Sequence, residues 1–270
     1  MSNEQNTALI TRREGAVLVL SNNNPAARNA LSPAFYLALT QALQAAKSDP
    51  SVGAIVLTGE GGHFCAGGDL RQLVKRRELS VAARREKLEG LHDLIRAVRA
   101  CPKPVIAAVE GAAAGAGVSL ALACDMLVAA RNAAFSVAYV KIGLTPDGGA
   151  TAFLAQFVSR QVLTELCLTG ERVSGERLHA LGAVNRLAEP GEALAQAIAL
   201  AQQLASGPDE AMGHIKALCH AAYDNTLEQQ LEQEAQFMVH AQASEESREG
   251  MAAFLEKRPA DYTQLRQPRG

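Results

Sequence analysis

The chain has 270 residues, 48% of them hydrophobic and 20% charged, and 26 basic against 28 acidic side chains leave a formal net charge of -2. That length suffices for one large core, or a core with a small appended domain, and the charge balance gives no drive toward nucleic acid or an anionic membrane. The five cysteines are odd in number and form no C-x-x-C pair, which argues against a disulfide framework or structural metal and for a reducing, cytoplasmic compartment.

The first fifteen residues are polar and lack the apolar stretch of a signal peptide, so secretion is not expected. Residues Ala8 to Ser21 predict a hairpin about Glu14-Gly15. A polar turn, NNNPAARNAL (22–31), leads into a helix that Ser32 and Pro33 start at Ala34 and that runs to about Lys47. The strand-like AIVLT (54–58) enters GEGGHFCAGGD (59–69), where Asp69 is placed as the N-cap of the next helix. Cys65 in that turn reads as a small packing residue and not a nucleophile, although His63 is close in sequence. Residues 70–100 are helical by periodicity with a break near Leu79 to Val81, and Leu88, Leu91, Leu94, Ile95 and Val98 share a face. Lys75, Arg76, Arg77, Arg84, Arg85 and Lys87 read as a solvated face, and His92 as a packed or exposed residue.

The chain is organised around residues 104–149. A strand at Val105 to Val109 is followed by a Gly/Ala turn, Gly111 to Gly117, that opens an apolar helix; a second strand lies near Met126, and the run closes on Pro146-Asp147-Gly148-Gly149. Its longest uncharged stretch, between Glu110 and Asp125, is too short to span a bilayer. Gly115, Ala116 and Gly117 carry little side chain, so a ligand can approach the N–H groups at the helix start; taken alone, the stretch reads as readily as close helix-to-sheet packing. The turn at 59–69 has the same construction, which suggests two main-chain donors aimed at one carbonyl oxygen. Beyond Thr151 helices dominate: one ends at Gly170, Ser174 caps another, AVNRLA (183–188) is a strand-like return, and Glu192 to Lys257 forms three or four amphipathic helices broken at 206–208 and near Asn225. Such a tail must cover its own core or a neighbouring subunit. Residues 262–270 are expected to fray.

HFCAGGDL followed by KPVIAAVEGAAAGAGVSLALACDMLVAA closely resembles the crotonase (enoyl-CoA hydratase/isomerase) superfamily, in order and spacing over essentially the whole chain. The resemblance implies an α/β fold, a spiral of ββα units over 1–200 that holds an acyl-coenzyme A site, with a helical region at 201–270 for assembly into a homotrimer or dimer of trimers. The ligand implied is an acyl-CoA thioester, with no separate cofactor, no metal, no nucleic acid and no membrane. The oxyanion hole falls on the N–H groups of Gly68 and Ala116, with Ala66, Gly67, Asp69, Leu70, Gly115 and Leu144 around the substrate. The N-P-x-x-x-N-A-L turn implies coenzyme contacts from Ala27, Arg28 and Ala30, although Arg28 reads equally well as an exposed turn residue. Residues 70–100 would border the acyl pocket, and the basic cluster is an alternative partner for coenzyme phosphates.

The family's hydratases use two glutamates to hold one water, whereas one carboxylate suffices to move a proton between carbons. The first of those positions is Ser119 here, and the second, expected in a strand around 136–140, is Tyr139; both are read as polar neighbours of the pocket. What remains is Asp147. It is similar to the Asp of family isomerases with a G-L-x-P-D-x-G-G turn, including the ring-epoxyphenylacetyl-CoA isomerase type of phenylacetate degradation, which implies a proton shuttle at Asp147 and an enolate held by Gly68 and Ala116. Without the resemblance, Pro-Asp-Gly-Gly reads as a turn in which Asp caps a helix. Two other readings stand: a hydratase or thioester hydrolase that uses Asp147 alone, and a silent CoA- or RNA-binding protein of this fold, the latter resting only on the basic cluster.

Overall fold

The structure, a computed structural model, describes residues 8–266. Strands β1 (Leu9–Glu14) and β2 (Val17–Asn22) form the expected hairpin, turning at Gly15, which takes a left-handed φ of 61°. Helix α1 (Pro33–Ser48) starts one residue earlier than expected, since proline's fixed φ suits the first helical position, and the Ser32 side chain accepts from the Phe35 N–H. Then come β3 (Ala54–Gly59), α2 (Leu70–Arg76) and α3 (Val81–Ala100), the helices separated where expected and capped by Asp69 and Ser80.

The central run yields β4 (Val105–Val109), β5 (Ala112–Ala114), α4 (Ala116–Ala123), β6 (Met126–Ala130) and β7 (Ala134–Ser136). Two expectations are corrected here. Residues 112–114 are a strand inside the anticipated turn, because β5 pairs with β7; and Tyr139 lies in a 3-10 turn, Ala138–Ile142, since β7 ends at Ser136. The rest comprises α5 (Ala150–Leu154), α6 (Arg160–Thr169), β8 (Arg172–Ser174), α7 (Gly175–Ala180), β9 (Arg186–Ala188), α8 (Ala193–Ala205), α9 (Asp209–Ala221), α10 (Leu227–Gln242) and α11 (Glu245–Glu256).

A six-stranded sheet runs β1-β2-β3-β4-β6-β9, parallel apart from its first hairpin, and a three-stranded sheet runs β5-β7-β8. Strands β2, β3 and β4 read as unbroken apolar runs because both their faces are covered. Leu18, Leu20, Ile55, Leu57 and Val105 enter a core shared with α1, α3 and α4; Val17, Val19, Val56, Ile106 and Ala108 face Ala193, Ala197, Leu200 and Ala201 of α8. Helix α8 therefore belongs to the sheet it covers, and the expected division at 200/201 falls within it.

The tail is tied down by charge. Lys103, 1% exposed, pairs with Asp209 at 2.6 Å, and Lys216 of α9 reaches Asp125 at 2.8 Å while the other Asp125 oxygen faces His220 at 3.2 Å. The end of the chain does not fray as far back as expected: Thr263–Leu265 is a 3-10 turn and the Arg266 guanidinium donates to the Ala205 carbonyl; residues 267–270 lie outside the described part. Among the described residues no helix is long and apolar enough to cross a membrane. Removing one member of a buried pair strands the other charge. Lys103→Met is expected to cost about 3–5 kcal/mol in urea unfolding, and adding Asp209→Leu to that variant to recover most of it.

Candidate active site

Segment 63–68 is zipped along β5. Cys65 N donates to Ala112 O at 3.0 Å, Ala114 N donates to Cys65 O at 2.9 Å, and Cys65 and Ala113 form a parallel bridge. The approach is close enough to exclude side chains at two glycines: a Cβ on Gly67, whose φ is 88°, would sit 2.6 Å from Ala114 O, and one on Gly117 would sit 2.4 Å from Cys65 O. Only glycine fits there. Gly68 and Ala116 are thereby brought onto one cavity wall, and among the described residues neither N–H is matched to a protein acceptor. Ala116 is the first residue of α4, where N–H groups lack intrahelical partners and the dipole favours negative charge.

The turn at 22–31 braces this wall from behind. Ala66 N donates to Arg28 O and Leu31 N to Gly67 O, at 2.9 and 2.8 Å, while the buried Asn29 amide donates to Glu60 O at 2.8 Å and His63 O at 2.6 Å. Arg28 and Ala27 are exposed and Ala30 is buried; none of the three lines the cavity in this chain. Asn29 is a structural clamp that sequence reasoning passed over, although its place in the N-P-x-x-x-N turn is the signal that marks it.

The cavity encloses about 420 Å³. Of the residues singled out from sequence, Ala66, Gly67, Gly68, Asp69, Leu70, Gly115, Ala116, Tyr139, Leu144 and Asp147 line it. Asp69 caps α2, its Oδ1 accepting from Arg71 N at 2.8 Å. Ser119 is corrected from a pocket-lining residue to a supporting one: it is fully buried and its hydroxyl donates to the Asp147 carbonyl at 2.8 Å. A Cβ built on Gly148 would come within 3.0 Å of Ser119 Cβ, so the aspartate turn rests directly on a small residue of α4.

Asp147 and Tyr139 contribute a polar pair to the same lining, with the Tyr139 ring beside Gly115. The Tyr139 hydroxyl donates to Asp147 Oδ1 at 2.7 Å. Burial pushes the Asp147 carboxyl above the ordinary carboxylate range, against the opposing pull of the Tyr139 hydrogen bond and the positive charge of His92 and Arg76. Burial, then the adjacent carboxylate, drives the Tyr139 phenol upward, so it stays a donor. Cys65 is fully buried, its thiol pushed up to about 12 by desolvation, and His63 Nδ1 accepts from Ala112 N at 3.2 Å; the pair is packing, as read.

The remaining lining comes from Leu31, Tyr36, Leu73, Arg76, Lys87, Leu88, Leu91, Ala114, Ala138, Lys141 and Ile142, with Thr145 and Pro146 leading into Asp147. The basic cluster thus divides: the half-buried Arg76 and the exposed Lys87 border the cavity, whereas Lys75, Arg77, Arg84 and Arg85 do not. Tyr36 was missed because it sits one residue from the buried Phe35 on a helix whose core face is set by Phe35, Leu39 and Leu43. Among the described residues no cluster of His, Cys, Asp and Glu suits a metal ion.

The model of the enoyl-CoA hydratase/isomerase family matches residues 12–266. The chain belongs to that family. It is similar to 1,2-epoxyphenylacetyl-CoA isomerase of Escherichia coli (strain K12), 34% identical over 260 residues that cover 94% of this chain and 98% of that protein. It is equally similar to 2,3-dehydroadipyl-CoA hydratase of the same organism, 34% identical with the same shares covered. Among solved structures, an enoyl-CoA hydratase from Polaromonas sp. JS666 superposes with a TM-score of 0.92 at 47% identity, over 94% of this chain and 98% of that one. This family member is an acyl-CoA enzyme with an α/β crotonase fold.

Because burial raises Asp147 and the tyrosine opposes that rise, carbon-13 NMR of the labelled carboxyl is expected to titrate above the usual aspartate range, and higher still in Tyr139→Phe. A carboxyl whose folded pKa is raised weakens the fold progressively as pH rises past its unfolded pKa, and in full once pH exceeds the folded one. Asp147→Asn is therefore expected to melt higher than the parent at pH 7, with the difference vanishing as pH falls to about 4.

Proposed function

We propose that this enzyme isomerises an enoyl-CoA, moving a double bond through a thioester enolate, with Asp147 as the proton shuttle. The observation that carries the proposal is one desolvated carboxylate, Asp147, in the same cavity lining as two unmatched main-chain donors; the other lining carboxylate, Asp69, caps α2, and the positions expected to bear the hydratase glutamates are held by Ser119 and Tyr139. The thioester oxygen lies against Gly68 N–H and Ala116 N–H, whose hydrogen bonds strengthen as negative charge develops on it. Asp147 removes a proton from the acyl chain and returns it at another carbon. With Oδ1 occupied by Tyr139, Oδ2 is the basic atom, and the raised pKa brings the carboxyl nearer to the working pH, which favours transfer in both directions.

The relatives' names support an acyl-CoA substrate and include an isomerase and a hydratase at equal identity. The carboxylate count is what favours isomerisation. Coenzyme A enters as part of the substrate, with Ala27, Arg28 and Ala30 as contacts for its adenine and phosphate region, and no separate cofactor takes part. A homotrimer, or a dimer of such trimers, accounts for the apolar side chains that the last three helices leave exposed, among them Ile215, Leu227, Met238, Val239 and Phe254. A cytoplasmic setting fits the free cysteines.

In deuterated water, incubation with a 3-enoyl-CoA is expected to give the 2-enoyl isomer with exchange at the acyl carbons. Asp147→Asn is expected to lower the rate by roughly a thousandfold with little change in thioester binding. Accumulation of a 3-hydroxyacyl product carrying oxygen from labelled water, with no isomer formed, would show hydration instead.

A further inference from the structure

Two polar groups of the cavity wall have no part in the shuttle. Tyr36 stands on α1 with its ring over Gly90 of α3, where an added Cβ would lie 3.7 Å from a ring carbon, and burial pushes its phenol up to about 12. Arg76 ends α2 and is half-buried beside Leu73 and Leu88. Among the described residues neither the phenol oxygen nor the guanidinium has a hydrogen-bond or ion-pair partner, yet the arginine's charge is felt by both Tyr36 and Asp147. No carboxylate of the described residues pairs directly with the guanidinium, so its five donors, a fork suited to a carboxylate, are left unmatched on the cavity wall.

Position along α2 says where such a group would lie. The helix begins next to Gly68, and its six-residue rise sets Arg76 roughly 9 Å from Leu70, a span that an acyl chain of medium length covers. We propose that Arg76, with Tyr36 as a second donor, receives a carboxylate at the far end of the acyl chain, so that the preferred substrates are thioesters of dicarboxylic acids. This rests on the reading of the cavity as an acyl-CoA site. The same fork would also suit a coenzyme phosphate, and the two sources differ in what must be present on the ligand.

Calorimetric titration of the full-length protein with adipoyl-CoA and hexanoyl-CoA, and with the corresponding pantetheine thioesters that lack the nucleotide phosphates, tests the proposal on unreactive ligands. The carboxylated ligand is expected to bind about tenfold more tightly in both series. Arg76→Gln is expected to abolish that preference with less than about a twofold change for hexanoyl-CoA, and Arg76→Lys, which keeps charge but not the fork, to retain part of it. Equal affinity of the wild type for the two acyl groups would overturn the assignment. So would an Arg76→Gln variant that weakens both CoA esters alike and leaves the pantetheine esters unchanged, which would give the arginine to the phosphates. If neither CoA ester binds, the acyl-thioester reading fails along with the proposal; if both bind equally, only the role of Arg76 falls.

Discussion

The main-chain contact between segment 63–68 and the β5–α4 corner is the constraint on which the site depends. A glycine at 67 lets the chain pass against Ala114 O, and a glycine at 117 lets α4 begin against Cys65 O. With a side chain at either position the two segments would have to move apart, shifting the Gly68 and Ala116 N–H groups from the places they hold on the cavity wall. Donors built from backbone cannot rotate away, so they need no reorganisation when charge appears on a bound oxygen.

The acid is placed by a second contact of the same kind. The turn at 147–149 lies on α4 because Ser119 donates to the Asp147 carbonyl and because Gly148 has no side chain, where an added Cβ would come within 3.0 Å of Ser119 Cβ. Ala116, whose N–H borders the cavity, and Ser119, which supports Asp147, are thus three apart on one short helix, so the main-chain donor and the carboxylate share a mount. Tyr139 completes it by holding one carboxylate oxygen and leaving the other free. Desolvation raises the pKa of Asp147, and Tyr139, His92 and Arg76 oppose that rise.

Much of this was legible in the residues. Apolar runs of five or six residues ending in glycine marked the buried parallel strands, and serine or aspartate before a helical period marked the caps at Ser32, Asp69 and Ser174, because these signals act within one turn of chain. Strand β5 was not legible: three alanines have no strand pattern of their own, and they are extended because β7 and segment 63–68 pair with them. Nor was the split of the basic cluster, since side chains alike in sequence part company according to which face of α2 or α3 meets the cavity.

The sequence by itself determined the family, the two glycine turns, the lone aspartate and the absence of glutamate at 119 and 139, since each is a matter of residue type and local spacing. Tertiary structure alone decided that Ser119 supports the acid from behind, that Tyr139 holds its Oδ1, and that Tyr36 and Arg76 face the same cavity from different helices. Those relations join residues tens of positions apart. They exist only once α1, α2, α4 and the 138–149 segment are packed together, and no local rule of the chain encodes the angle at which they meet.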